Sequence, residues 1–303
     1  MKKVILTCIA VIIVLNVRLY AKESTVWTED FAKAVQKAEK KGKHLLLDFT
    51  GSDWCGWCKR LDSEVFSKPV FKKEAPGMFV LVKLDFPRRS KLPAKIKKQN
   101  DELQKKYGVK GFPTILLADA AGKPYAKTGY RRGGAKKYID HLKDLKKGKD
   151  KIDRLFAEAQ KKEGLEKAKA LDKALEHLYS NGIEQGYGDV VEQIIELDSS
   201  NKAGLKLKYE IPKKLQEIGN AFNKSRNADK ALAEINGITG KLKDMPELLQ
   251  QVLVFKAQVV LRGKGDMKGA LKILKKAKKT APGSSLDRQI SYFIRQIESR
   301  LKK

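Results

Sequence analysis

Cysteine is scarce in this chain: three residues in 303, at positions 8, 55 and 58. So few thiols cannot build the disulfide framework of a small secreted scaffold. Histidine is as rare, with His44, His141 and His177 far apart in sequence. They do not supply the closely spaced ligands that a four-ligand metal site within one chain needs, so no metal and no other cofactor is expected. No apolar run reaches the ~18 residues of a membrane-spanning helix, which excludes a polytopic membrane protein. Acidic residues are outnumbered, 36 against 65 Lys and Arg, leaving a net charge of +29. What the chain does have is 42% hydrophobic residues, enough for real cores and too much for wholesale disorder. Its length suggests about two domains.

Residues 1–21 stand apart. Lys2 and Lys3 form a charged head, 4–17 is almost wholly apolar, and Ala21 offers a small residue at a cleavage point. This three-part shape predicts a secretory signal and hence an exported protein, periplasmic or in the envelope. Arg18 and the bulky Leu19 fit cleavage poorly, so an uncleaved anchor is the alternative. Cys8 lies inside the apolar run, too early for lipidation. Without the signal only Cys55 and Cys58 remain, and with no wider disulfide framework to join, this pair is the chemistry or half of a metal site.

Residues 29–41 read as a helix, with Phe31, Val35 and Ala38 at helical spacing and Gly42 as its stop. The apolar run 44–49 suits a buried strand. A loop follows at 50–53, and a helix opens at the cysteines and runs to about Phe66. Further strands are expected at 78–86, at 114–118 and, after a turn at 121–124, up to about Tyr130. A basic, partly helical insertion covers 87–104, and a last helix runs from Gly133-Gly134 to about Lys147. The polar run 146–151 reads as a linker. Beyond it strand signals vanish, and apolar sets such as Ile152/Leu155/Phe156 and Leu171/Leu175/Leu178 mark successive helices. Residues 265–282, with Gly265, Gly269, Ala270, Leu274, Ala277 and Pro282, resemble the second half of a tetratricopeptide repeat.

The segment Trp54-Cys55-Gly56-Trp57-Cys58-Lys59 follows a strand and opens a helix, which is the order a redox pair needs. Together with Leu47-Asp48-Phe49, the 79–85 run and Tyr107-Gly108-Val109-Lys110-Gly111-Phe112-Pro113-Thr114, it resembles the thioredoxin family. It is most similar to exported bacterial thioredoxin-like proteins with a Trp-Cys-Gly-Trp-Cys active site. The resemblance implies an α/β thioredoxin fold, a central mixed sheet flanked by helices, over residues 22–148. An all-α, repeat-like domain is expected over 149–303, with a tetratricopeptide-like array as one form it can take.

Cys55, at a helix N-terminus, feels the helix dipole and unpaired N–H groups that favour thiolate, and is the expected nucleophile. Cys58, one turn further in, is the resolving thiol. A structural disulfide closing so short a loop would constrain almost no chain entropy. The resemblance also implies that Pro113 follows a cis peptide bond and leaves the backbone of Phe112 open to a substrate strand. An ordinary trans proline is the alternative. It places Asp48 as a buried proton acceptor for Cys58, partnered by Lys83. One extra residue between Asp48 and Cys55 keeps an ordinary strand-end aspartate in play. Trp54 fits the family. Trp57 stands where thioredoxin has proline, and either contacts substrate or packs on the fold. Gly129 either keeps the substrate groove open or simply ends a strand.

The basic charge is spread over both halves, dominated by Lys and without the interleaved aromatics of single-strand binders. Specific nucleic-acid recognition is therefore not expected. Solubility, or association with acidic envelope surfaces and partners, accounts for the charge. The expected function is thiol–disulfide oxidoreduction on protein dithiol and disulfide substrates, with an unidentified redox partner and a slight leaning to reductase or isomerase work. The alternative is a partner-binding or chaperone protein that uses its helical domain, with the thioredoxin fold as scaffold.

Overall fold

The computed structural model describes residues 26–302; the signal segment 1–21 with Cys8 lies outside them. Contacts divide the chain into two compact units, Met1–Ile152 with His177–Gly186, and Asp153–Glu176 with Tyr187–Lys303.

The first unit holds β1 (Trp27–Thr28), α1 (Phe31–Lys41), β2 (His44–Thr50), α2 (Gly56–Leu61), α3 (Pro69–Met78), β3 (Phe79–Asp85), α4 (Ala94–Lys106), β4 (Thr114–Ala118) and β5 (Pro124–Thr128). The strands form one sheet in the order β1-β3-β2-β4-β5. β2 pairs parallel with β3 and antiparallel with β4, and β5 runs antiparallel to β4. Leu45, Leu46, Leu47 and Phe49 of β2 are fully buried. Such a continuous apolar run is what a strand covered on both faces requires. Register then decides where function can sit. Thr50 pairs with Asp85, Phe49 with Thr114, and Ile115 with Thr128. The end of β2, the end of β3, the start of β4 and the end of β5 therefore meet at one edge of the sheet.

Local chemistry sets the element ends. The Asp30 side chain accepts from the Lys33 N–H at 3.0 Å and starts α1, while Gly42, left-handed at φ 59°, stops it. α2 passes into a π-helical turn over Asp62–Phe66. Two elements escaped the periodicity. β1 has only two residues, and α3 carries Pro76 inside it, where proline normally speaks against a helix. Pro69, at its first position, is the compatible signal.

The expected linker is a correction. α5 (Gly134–Gln160) is one unbroken helix through 146–151. Leu142 and Ile152 are buried on either side of the polar run, so its apolar face is anchored at both ends. A single helical Gly, here Gly148, costs only about 1 kcal/mol. The units divide inside this helix, between Ile152 and Asp153, and residues 177–186 belong to the first unit. There the carbonyl of Asn181 accepts from the Lys127 N–H of β5 at 3.0 Å, covering part of an otherwise open sheet edge.

The second unit is helical, and its C-terminal part holds α6 (Gly164–Ser180), α7 (Gly188–Leu197), α8 (Leu205–Ser225), α9 (Ala228–Thr239), α10 (Pro246–Lys264), α11 (Met267–Thr280) and α12 (Asp287–Leu301), with the end of α6 in the first unit. α10 serves two cores. Leu248, Val252 and Val259 pack with Ile218, Phe222 and Ile235, whereas Leu253, Ala257 and Val260 pack with Ala270, Leu274 and Ile290. Asp266 caps α11 by accepting from the Gly269 N–H at 2.7 Å. The fully buried Gln250 donates to the carbonyls of Ala277 and Ala281 at 3.0 and 3.1 Å and accepts from the Ser284 hydroxyl at 2.6 Å. It satisfies carbonyls at the end of α11 that the helix itself leaves open. Replacing Gln250 with Leu strands those groups, and is expected to cost about 2–3 kcal/mol. Urea unfolding followed by far-ultraviolet circular dichroism reads this out, and a loss below about 0.5 kcal/mol would mean that water replaces the bonds.

Candidate active site

The loop leaving β2 brings Cys55 to the N-cap of α2, with extended backbone and its Sγ accepting from the Cys58 N–H at 3.2 Å. Cys58 lies one turn inside, and the two sulfurs are joined in a disulfide. Cys55 is 7% and Cys58 4% exposed. A sulfur at this cap faces unpaired N–H groups and the positive helix end, which stabilise a thiolate once the bond is reduced.

The loop is braced by the neighbouring strand ends. Asp85, ending β3, accepts from the Ser52 N–H at 2.9 Å and from the Ser52 hydroxyl. The Asp53 carboxylate accepts from the backbone N–H groups of Arg88, Arg89 and Ser90 at 3.0, 2.7 and 3.2 Å. These bonds hold its pKa down to about 2. Trp54 donates from Nε1 to the Phe86 carbonyl at 2.8 Å. One face of Trp54 carries the Arg88 guanidinium, 3.8 Å from the ring centroid, and Phe112 meets Trp54 edge-on at 5.9 Å. A Cβ on Gly51 would fall 2.6 Å from the Trp54 ring, so only glycine lets the indole settle there.

The Phe112–Pro113 peptide bond is cis. Phe112 also packs on Phe86 at 5.1 Å, which ties the segment before β4 to the cysteine loop through aromatic rings. A Cβ on Gly129 would lie 3.1 Å from the Pro113 carbonyl oxygen, placing Gly129 against the proline. Trp57 is 52% exposed, with Tyr130 at 5.1 Å. Arg60 lies 5.7 Å from the Trp57 centroid and 5.5 Å from that of Tyr130. Glu64 accepts from Arg60 Nε at 2.6 Å and from the Tyr130 hydroxyl at 2.7 Å.

Asp48 is buried on β2, in register with Lys83 on β3. Burial pushes its pKa up to about 7, against the pull of Lys83 and helped by the negative charges of Asp62 and Asp85. Its Oδ1 is buried without a hydrogen-bond partner. The structure thus brings Asp48 and Lys83 side by side and gathers Cys55, Cys58, Trp54, Trp57, Phe112 and Pro113 at one sheet edge. Sequence reasoning missed Asp53, Phe86, Arg60 and Tyr130. Of these only Arg60 carries a sequence signal, as an arginine in a lysine-rich segment.

A mixed sheet with a Cys-x-x-Cys pair capping the helix after its central strand, and a cis proline entering the next strand, is the thioredoxin fold. Residues 31–146 match the family described as Thioredoxin-like domain. Over 119 residues the chain is 34% identical to the disulfide bond reductase DsbH of Chlamydia pneumoniae, covering 39% of this chain and 72% of that protein. It is also 34% identical over 95 residues to the thioredoxin-related protein DsbJ of the same organism, of which it spans 27%, matching 31% of its own length. A solved structure of a DsbH oxidoreductase, 34% identical, covers 39% of this chain and 82% of that one with a TM-score of 0.38. The chain belongs to the thioredoxin-like family of thiol–disulfide oxidoreductases.

The raised pKa of Asp48 has a stability consequence. Between the ordinary aspartate value near 4 and about 7, the folded state keeps a proton that the unfolded state has released. Stability is therefore lost as pH rises through this window, by roughly 4 kcal/mol at most. Asp48→Asn should remove that slope in the oxidised protein. Its stability relative to wild type should grow from pH 4 to pH 8 in denaturant titrations. A constant difference across that range would show that Asp48 titrates normally.

Proposed function

We propose that this chain is an exported enzyme that reduces or isomerises disulfides in protein clients, with Cys55 as nucleophile and Cys58 as resolving thiol. The observation that carries this reading is the position of Cys55 as N-cap of α2 with Cys58 one turn behind it. Identity with a protein described as a disulfide bond reductase supports the direction, and the shape of residues 1–21 supports export.

In this reading the Cys55 thiolate attacks one sulfur of the client disulfide. The client S–S bond breaks, a Cys55–client mixed disulfide forms, and the client's other sulfur leaves as thiolate. Asp48, its carboxylate partly ionised near neutral pH, takes the proton from Cys58. The Cys58 thiolate then attacks Cys55 Sγ, forming the Cys55–Cys58 disulfide and releasing the second client sulfur, which takes up a proton. Two electrons pass to the client, and a dithiol redox partner returns them. In this reading the backbone of Phe112, ahead of the cis Pro113 that leads into β4, pairs transiently with a client strand. The helical unit holds clients near Cys55 and raises their effective concentration.

In an insulin reduction assay Cys55→Ser should abolish turnover, whereas Cys58→Ser should accumulate a mixed disulfide with client. Alkylation of the reduced protein at neutral pH should label Cys55 first. Labelling of Cys58 first would reverse the assignment. The reduction potential of the pair should lie near the reducing end of the family, about −270 mV, and a value near −120 mV would make the enzyme an oxidant instead.

A further inference from the structure

Between residues 26 and 152 lysine occurs on every helix and on β3 and β5, but arginine occurs only at 60, 88, 89, 131 and 132. All five stand on α2 or on the loops that leave the sheet edge where the cysteine loop sits. Arg60 lies on α2 two residues after Cys58 and covers Trp57 and Tyr130. Arg88 lies on Trp54, the residue before Cys55. Arg89 follows, its backbone pinned by Asp53 of the same loop. Arg131 and Arg132 come directly after Tyr130, and Arg132 is near enough to help hold the Glu64 pKa down.

The carboxylates at this edge are already occupied. Asp53 accepts backbone N–H groups, Asp85 accepts from Ser52, Glu64 takes Arg60 and Tyr130, and Asp62 accepts from the Ser67 hydroxyl at 2.9 Å. Among the described residues, no ion pair occupies the guanidinium of Arg88, Arg89, Arg131 or Arg132, and all four side chains are exposed. Even with Asp53 counted fully against one of them, the rim keeps an excess of positive charge. It surrounds an exposed indole beside a nearly buried sulfur.

We propose that this arginine rim selects clients whose reacting cysteines are flanked by aspartate or glutamate. The inference rests on the oxidoreductase reading above and names the client class for that site. A client strand brought to Cys55 passes between the Arg88/Arg89 loop and the Arg131/Arg132 loop. The planar guanidinium forks match carboxylates in a way that ammonium groups do not. An acidic protein segment fits better than a nucleic acid, because the rim encircles a site whose chemistry needs a sulfur.

The test uses the full chain and two disulfide-linked peptides, identical except that the residues flanking cysteine are Asp/Glu in one and Asn/Gln in the other. Each rate is divided by that of dithiothreitol with the same peptide, which removes differences in intrinsic disulfide reactivity. The acidic peptide should be preferred about 10-fold in kcat/KM at low salt, mainly through KM, and the preference should shrink as salt rises to about 0.5 M. The triple variant Arg89→Gln/Arg131→Gln/Arg132→Gln should bring the ratio to within about twofold. Because the readout is a ratio, any effect of the variant on the Cys55 thiolate cancels. Equal normalised rates in the wild type, or a preference that survives the triple variant, would overturn the proposal. So would equal rates combined with inhibition by a single-stranded oligonucleotide, which would assign the rim to nucleic acid. If neither peptide is reduced, the oxidoreductase reading itself fails and this proposal with it.

Discussion

The central strand β2 is the constraint on which the rest of the first unit depends. It is hydrogen-bonded on both sides, parallel to β3 and antiparallel to β4, and its apolar residues have no exposed face. A strand held this way cannot slip by one residue without turning its whole set of side chains over. Its register therefore fixes Asp48 beside Lys83, and fixes which strand ends share an edge with the cysteine loop. The loops can carry unusual chemistry because the strands beneath them cannot move.

Around the cysteine pair, the buried side-chain polar atoms of the described residues are satisfied at all but one position. The loops around Cys55 are closed by Asp85 with Ser52, by Asp53 with three N–H groups, and by Trp54 with the Phe86 carbonyl. Asp48 Oδ1 is the exception, buried and unpartnered. A buried carboxylate oxygen without a donor costs stability unless the group stays protonated. An asparagine in the same place would avoid that titration.

Much of this was legible in the sequence, for identifiable reasons. The apolar run at 44–49 and the Cys-x-x-Cys that follows are strong local signals, and β4 at 114–118 was expected with the bounds it has. The juxtaposition of Asp48 with Lys83 was expected from the family resemblance, and the register of β2 with β3 sets the two opposite each other. What stayed hidden depends on contacts distant in sequence. β1 is two residues long and exists only by pairing with β3. α3 tolerates Pro76 in a position that local rules reject. The polar stretch at 146–151 looks like a linker until Leu142 and Ile152 are seen to anchor one helix across it. Residues 177–186 join the first unit through the edge of β5, a partnership that no periodicity encodes.

The basic charge of the chain divides into two kinds with different physics. Lysine spread over the surface contributes mainly a diffuse field, screened beyond about 8 Å at physiological salt. It favours solubility and attracts acidic surfaces without orienting them. The arginines at the sheet edge act at contact distance, and two of them lie against the rings of Trp54, Trp57 and Tyr130. The Arg88 guanidinium, laid on the face of Trp54, keeps its N–H edges free for a carboxylate while its position is held. The cost of ordering such a side chain is then met on folding rather than on binding. A net charge of +29 favours acidic surfaces in general. Where the arginines stand determines how an acidic partner is oriented on reaching Cys55.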